Sequence, residues 1–272
     1  MLTVRNLQKT YPTGVEAIQN VSFEVRPGEF ICIVGPSGAG KTTLLRCLCG
    51  LLGRSSGVIK LDDELVVTPP AKMAAVFQDY SRSLMPWYSI ERNVMLPLKN
   101  KIPDKEARRA QVAKALNAVG LAGFESSYPW QLSGGMQQRV AIARAIVYEP
   151  EILVMDEPFA SVDAQTRSDL EDLVLKIHES MGTAVLLVTH DIDEAVYMAD
   201  RVVVLSSRPS RVLEIVDIDL PRGRDQVETK SSPLFAEYRA HVLKLVRGHR
   251  PAEPPAQDVT AEQPAVALSL TD

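Results

Sequence analysis

The sequence predicts an α/β protein with a mostly parallel sheet, an antiparallel β-subdomain and an inserted helical subdomain. Three observations carry this prediction. Apolar runs at Phe30–Val34, Ile152–Met155, Ala184–Val188 and Val202–Leu205 are short and continuous rather than alternating. That pattern belongs to strands covered on both faces, as in a parallel sheet. Stretches with helical apolar spacing separate them, and alternation of the two kinds argues for an α/β domain. Two regions break the alternation: residues 1–28 and 57–70 read as short strands with turns, and residues from about 89 to 147 read as helical with no obvious strand.

In chain order, Thr13-Gly14, Pro27-Gly28 and Asp62-Asp63 mark turns between the first strands, which are expected to form an antiparallel layer beside the main sheet. A helix is expected over Thr43–Leu48, followed by an apolar run at Met73–Phe77. Lys105–Val119 places Val112, Ala115, Leu116 and Val119 on one helical stripe. A helix follows Ser133 and runs to Val147, with Pro150 just beyond. In Ala164–Met181 the residues Leu170, Leu173, Val174, Ile177 and Met181 recur at helical spacing, and Gly182 supplies a stop. The sequence divides into a folded unit over 1–248 and an acidic tail over 249–272. From Pro251 onward the tail holds four prolines and five alanines but no aromatic residue, so it is expected to be disordered.

The chain has 272 residues, 46% apolar and 24% charged, an ordinary globular composition able to bury a core. The net charge of −4 comes entirely from Glu253, Asp258, Glu262 and Asp272, which leaves residues 1–250 neutral. A basic nucleic-acid surface is therefore not expected. No apolar stretch approaches the roughly eighteen residues a membrane span requires, and Met1–Arg5 lacks the layout of a secretory signal. Cys32, Cys47 and Cys49 fit no metal or disulfide spacing and are expected to be buried free thiols in a reducing compartment.

Gly35-Pro36-Ser37-Gly38-Ala39-Gly40-Lys41-Thr42 follows a predicted strand and opens a predicted helix, the context a phosphate-binding loop needs. Glycines let successive N–H groups turn inward, and the helix N-terminus adds positive potential. Lys41 would reach the β- and γ-phosphates, and the Thr42 hydroxyl would ligate Mg²⁺. Ile152–Glu157 is a buried strand that delivers two carboxylates to the crevice at its C-terminal end. There Asp156 suits the Mg²⁺ shell, and Glu157 suits activation of a water for attack on the γ-phosphate. Together these motifs indicate a phosphate-loop NTPase. Leu132-Ser133-Gly134-Gly135-Met136-Gln137-Gln138-Arg139 adds a second anion-binding helix start, with Ser133 as N-cap and two glycines exposing backbone N–H groups. A second subunit could offer it across an interface.

On these residues the chain resembles the ATP-binding cassette (ABC) ATPase family over essentially residues 1–248. Leu132–Arg139 is similar to the family signature, Gly35–Thr42 to its Walker A loop and Ile152–Glu157 to its Walker B strand. The resemblance implies that Tyr11 stacks on adenine and that Thr43 joins the nucleotide-binding set. It implies that Gln78 contacts Mg²⁺ and attacking water, and that His190 contacts the γ-phosphate. Asp163, in Ser161-Val162-Asp163, matches the D-loop aspartate. It also implies a head-to-tail homodimer enclosing ATP and Mg²⁺, with Ser133, Gly134, Gly135, Gln137 and Asp163 acting in trans. Hydrolysis then opens the dimer and moves a separate integral membrane permease at the cytoplasmic face of the inner or plasma membrane, with a solute-binding protein as indirect partner.

Peripheral stretches, Gln78–Trp87, Asp156–Phe159, Asp163–Arg167, Arg208–Val212 and Leu220–Asp225, resemble import ATPases for nitrate, sulfonate and taurine. In that family the neighbourhood of Trp87 contacts the permease, although a core position fits Trp87 equally well on sequence alone. A cassette ATPase that works without a permease shares the core motifs. Such proteins commonly carry two cassettes or a long coiled coil, whereas here one cassette has about ninety residues between Thr42 and Leu132 and no heptad run.

Overall fold

The computed structural model describes residues 1–78 and 83–248. The expected tail, and Asp79–Arg82 of the import-type stretch, lie outside the described residues. Strands β1 (Leu2–Thr10), β2 (Glu16–Val25), β3 (Phe30–Val34), β4 (Ser56–Leu61), β5 (Glu64–Leu65), β6 (Met73–Val76), β7 (Ile152–Asp156), β8 (Ala184–Val188), β9 (Arg201–Leu205) and β10 (Ser210–Asp217) form one sheet. Its order is β5-β4-β1-β2-β10-β9-β3-β8-β7-β6. The helices are α1 (Lys41–Leu48), α2 (Ile90–Met95), α3 (Lys105–Ala118), α4 (Gly134–Ile146), α5 (Ala164–Met181), α6 (Ile192–Met198), α7 (Glu228–Ser231) and α8 (Pro233–Gly248).

From β9 to β6 the strands are parallel, with Cys32 opposite both Leu187 and Val202, and Val154 opposite Leu186. Every residue of β3, β7, β8 and β9 is buried, as continuous apolar runs require. Period-two alternation sends their side chains into two cores. Phe30, Cys32, Leu153, Met155 and Leu187 meet the helices of residues 90–198, while Ile31, Ile33, Val154 and Leu186 meet α1, β1 and β2. Cys32, Cys47 and Cys49 are buried and free, and burial pushes the Cys49 thiol up to about 12.

The N-terminal strands differ from expectation in two ways. β1 and β2 are long, nine and ten residues, and bend through register shifts at Leu7 and Lys9. They also do not stand beside the main sheet but continue it. β10 pairs parallel with β2 at Ser210–Ile18 and antiparallel with β9 at Ile215–Val203. The turn at Asp62-Asp63 is a two-residue hairpin with both residues at positive φ.

Side-chain caps set the helix starts. The carboxylate of Asp104 accepts from Ala107 N–H at 2.6 Å, and that of Asp163 from Thr166 N–H at 3.0 Å. Helix α5 spans Ala164–Met181 and stops at Gly182, φ 63°. Helix α1 begins at Lys41, two residues before the expected start, because Gly40 serves as its N-cap.

Candidate functional site

Beyond Val34 the chain leaves the sheet through Gly35–Gly40 and enters α1. Gly38 and Gly40 have φ of 75° and 85°, the left-handed region that glycine tolerates best. Added Cβ atoms would be crowded at Gly35 and Gly40, though not at Gly38. One at Gly35 would stand 3.1 Å from the Leu205 carbonyl oxygen, and one at Gly40 would stand 3.0 Å from that of Ala17. No side chain caps α1, so its first-turn N–H groups are left for an external acceptor, an anion above all. Lys41 is 7% exposed, and its Nζ donates to the carbonyls of Gly35 at 3.0 Å and Pro36 at 3.2 Å. Burial lowers its pKa, against the opposing pull of Glu157 and Asp156.

The β7 terminus sets two carboxylates against this loop. Asp156 is buried, and burial raises its pKa while a hydrogen bond from the Thr42 side chain pulls the other way. Its Oδ1 has no hydrogen-bond partner. A hydroxyl, a buried carboxylate and an unsatisfied oxygen suit a small hard cation that draws its remaining ligands from phosphate and water. Among the described residues no cluster of His, Cys, Asp and Glu could hold a metal without such help.

Glu157 sits at φ 45°, unusual outside glycine, and its N–H donates to the Val188 carbonyl at 2.8 Å. That geometry brings its Oε2 to 3.2 Å from His190 Nδ1. The turn carrying His190 is held from below. Thr189 donates its hydroxyl to Glu194 Oε2 at 2.6 Å and accepts from Asp191 N–H at 3.0 Å. Burial pushes Glu194 up to about 7.

These parts share an open cleft of ≈530 Å³ lined by residues 35–43, Glu157 and His190. Two further lining residues, Arg208 from the β9–β10 turn and Val246 from α8, were not signalled as site residues by the sequence. Tyr11 joins from the β1–β2 turn, with its hydroxyl 3.0 Å from Thr43 Oγ1. Gln78 is exposed just past β6, whose Val76 pairs with Met155 of β7. A larger cavity of ≈680 Å³ opens around Phe30, His178 and Arg224 at the other end of β3, with no phosphate-type loop. Arg224 there donates to the carbonyls of Tyr197 and Ala199.

Ser133, Gly134, Gly135, Gln137 and Asp163 do not line the cleft within one chain. Ser133 caps α4, accepting from Met136 N–H at 3.3 Å, and stands exposed with Gly134. Gly135 abuts α5, where an added Cβ would lie 2.4 Å from Thr166 Cγ2. The Thr166 hydroxyl in turn donates to Asp163 at 2.7 Å. Gln137, expected to act in trans with these residues, is half-buried, and its Nε2 donates to the carbonyls of Pro129 and Leu132 at 3.0 and 3.2 Å. It braces the turn before Ser133.

Trp87 is 66% exposed, not core, and meets Tyr88 edge-on. Trp130, equally exposed, stacks on Tyr128. Arg144 on α4 donates to the carbonyl and hydroxyl of Ser83, both at 2.6 Å. The buried Asn93 bonds the backbone of Met85, Tyr88 and Ser89. The import-type stretch is thus tied to the helix that Ser133 opens.

Known proteins resemble this chain in sequence and fold. A taurine import ATP-binding protein of Yersinia pseudotuberculosis is 42% identical over 250 residues, 90% of this chain and 97% of that protein. An aliphatic sulfonates import ATP-binding protein of Bacillus cereus is 41% identical over 233 residues, 85% of this chain and 88% of that protein. Among solved structures, a dimeric ATP-binding cassette in a post-hydrolysis state with ADP and Pi superposes with a TM-score of 0.71. It is 32% identical and covers 81% of this chain and all of that one. The family model described as ABC transporter matches residues 18–160, and the chain belongs to that family.

Proposed function

We propose that this chain is the ATP-hydrolysing subunit of an ABC importer. It energises uptake of a small anion-like solute of the nitrate, sulfonate or taurine class through a separate membrane permease. The observation that carries this reading is the cleft in which the Lys41 loop, Glu157 and His190 converge.

In the proposed mechanism the α1 N-terminus and Lys41 hold the triphosphate by charge and by backbone N–H groups. Thr42, Asp156 and Gln78 would hold Mg²⁺, which would supply charge neutralisation at the β- and γ-phosphates. Glu157 takes the proton of the attacking water. The new bond forms between water oxygen and γ-phosphorus, the bond to the ADP oxygen breaks, and ADP and phosphate leave. His190, within hydrogen-bond reach of Glu157, orients that carboxylate and faces the γ-phosphate. Tyr11 borders the adenine end.

Ser133, Gly134, Gly135 and Asp163 act in trans in a homodimer, presented to the partner's nucleotide, with Gln137 bracing the turn. The dimeric cassette among the structural relatives supports this arrangement. Loss of the γ-phosphate removes the contacts holding the dimer closed. No helix among the described residues is long and apolar enough to cross a membrane, so the solute pathway is assigned to another polypeptide. The exposed Trp87 faces that permease at the cytoplasmic side of the membrane, and a solute-binding protein completes the system.

The test is solute-stimulated ATP hydrolysis. Vesicles carrying this chain, its co-purified permease and a solute-binding protein are assayed with taurine, an alkanesulfonate and nitrate. Acceleration by one of the three supports the reading. Hydrolysis indifferent to all three, or failure to co-purify an integral membrane protein, overturns the importer assignment.

A further inference from the structure

The turn between β9 and β10 is fixed against the phosphate-binding loop. The backbone and Cβ of Leu205 close on Gly35 so tightly that a Cβ there would stand 3.1 Å away. Ser210, fully buried, donates its hydroxyl to the Ala17 carbonyl at 3.2 Å, beside the Gly40 position. Within the turn, Ser206 donates to the Ser207 carbonyl at 2.8 Å and accepts from Arg211 N–H at 3.1 Å. At the tip of this braced turn stands Arg208, exposed and lining the same cleft as Lys41, Glu157 and His190.

We propose that Arg208 is a further phosphate-binding residue: its guanidinium contacts the bound polyphosphate of the nucleotide, complementing Lys41 in the same cleft. The proposal rests on the reading of the cleft as the nucleotide site. Three features carry it. The backbone bearing Arg208 is rigid relative to the loop, so its reach is set. Lys41 is a single buried point charge already engaged with two loop carbonyls, whereas a triphosphate presents many acceptor oxygens. A guanidinium offers forked donors matched to phosphate geometry.

The test is equilibrium binding of ATP to the full chain, comparing wild type with Arg208→Ala, Arg208→Lys and Lys41→Ala at low and high potassium chloride. Adenosine serves as the uncharged probe. Arg208→Ala is expected to raise the Kd for ATP about tenfold at low salt, the scale of one charge-assisted contact. The loss shrinks at high salt, Arg208→Lys recovers part of it, and adenosine binding and thermal unfolding stay unchanged. ATP binding by Arg208→Ala within twofold of wild type, alongside a clear loss in Lys41→Ala, overturns the role of Arg208 and leaves the nucleotide site standing. Equal losses for ATP and adenosine also overturn it. Wild-type affinity in both variants overturns the site itself.

Discussion

His190 Nδ1 lies 3.2 Å from Glu157 Oε2, although the two residues belong to turns after different strands, β8 and β7. The contact exists because β7 and β8 pair in register up to Asp156–Val188, and because the Glu157 N–H then closes on the Val188 carbonyl. The backbone that carries this carboxylate is fixed by the sheet. Glu157→Gln keeps the shape but removes the base. It is expected to retain ATP binding, slow phosphate release at least about tenfold, and accumulate a closed dimer visible by size-exclusion chromatography with ATP. Near-normal turnover rejects Glu157 as the base.

Lys41→Ala deletes the buried ammonium next to the loop carbonyls. Nucleotide affinity itself falls, by about tenfold or more, and an ATP titration with unchanged affinity counts against the loop.

Ser133→Arg places a bulky cation at an exposed cap that does not line the cleft of its own chain. ATP binding by the monomer is expected to persist while ATP-driven dimerisation, followed by light scattering, is lost. Normal dimerisation removes the basis for the trans site.

Gly135 of α4 faces Thr166 of α5 with no room for a Cβ, which would lie 2.4 Å from Thr166 Cγ2. Gly135→Ala forces Thr166 aside and is expected to cost about 1–3 kcal/mol, the scale of core overpacking. Thr166→Ser removes the clashing methyl and keeps the hydroxyl for Asp163. The double variant is therefore expected to recover most of the loss in urea unfolding, and additive losses contradict the packing argument.

Glu194, buried beneath the His190 turn, titrates near 7 through burial and the nearby Asp191 and Glu171, against the pull of Thr189 and Arg167. A carboxyl whose folded pKa lies above its unfolded value binds more protons when folded. Stability is therefore highest below the unfolded pKa and falls as pH rises toward 7, by about 3 kcal/mol in all. Glu194→Gln keeps an acceptor for Thr189 and is expected to raise the melting temperature at pH 8 and to lose that advantage near pH 4.5. An advantage independent of pH dissociates Glu194 from the effect.

Strands β3, β7, β8 and β9 were legible because each is buried on both faces, and α5 because five apolar residues and a terminal glycine agreed. β10 was not legible. Its residues are mostly half-buried, with Arg211 and Glu214 interspersed, and its partner Ile18 lies far away in sequence. That single missed strand made the N-terminal β region look like a separate layer. Within the site, the loop, Glu157 and His190 were readable as motifs with strand context. The inward turn of Gln137 and the placement of Arg208 depend on tertiary packing, which residue spacing does not encode. Helix α8 carries no motif, and its Val246 reaches the cleft through packing of α8 against α6, β9 and β10.

Because β10 laces β2 to β9, Tyr11 at one end of the cleft and Lys41 in its middle ride on a single stiff plate. A spent nucleotide therefore has little means of prying its own pocket apart from inside. Ser133 and the exposed Trp87 lie off that plate, in the helical segment between β6 and β7.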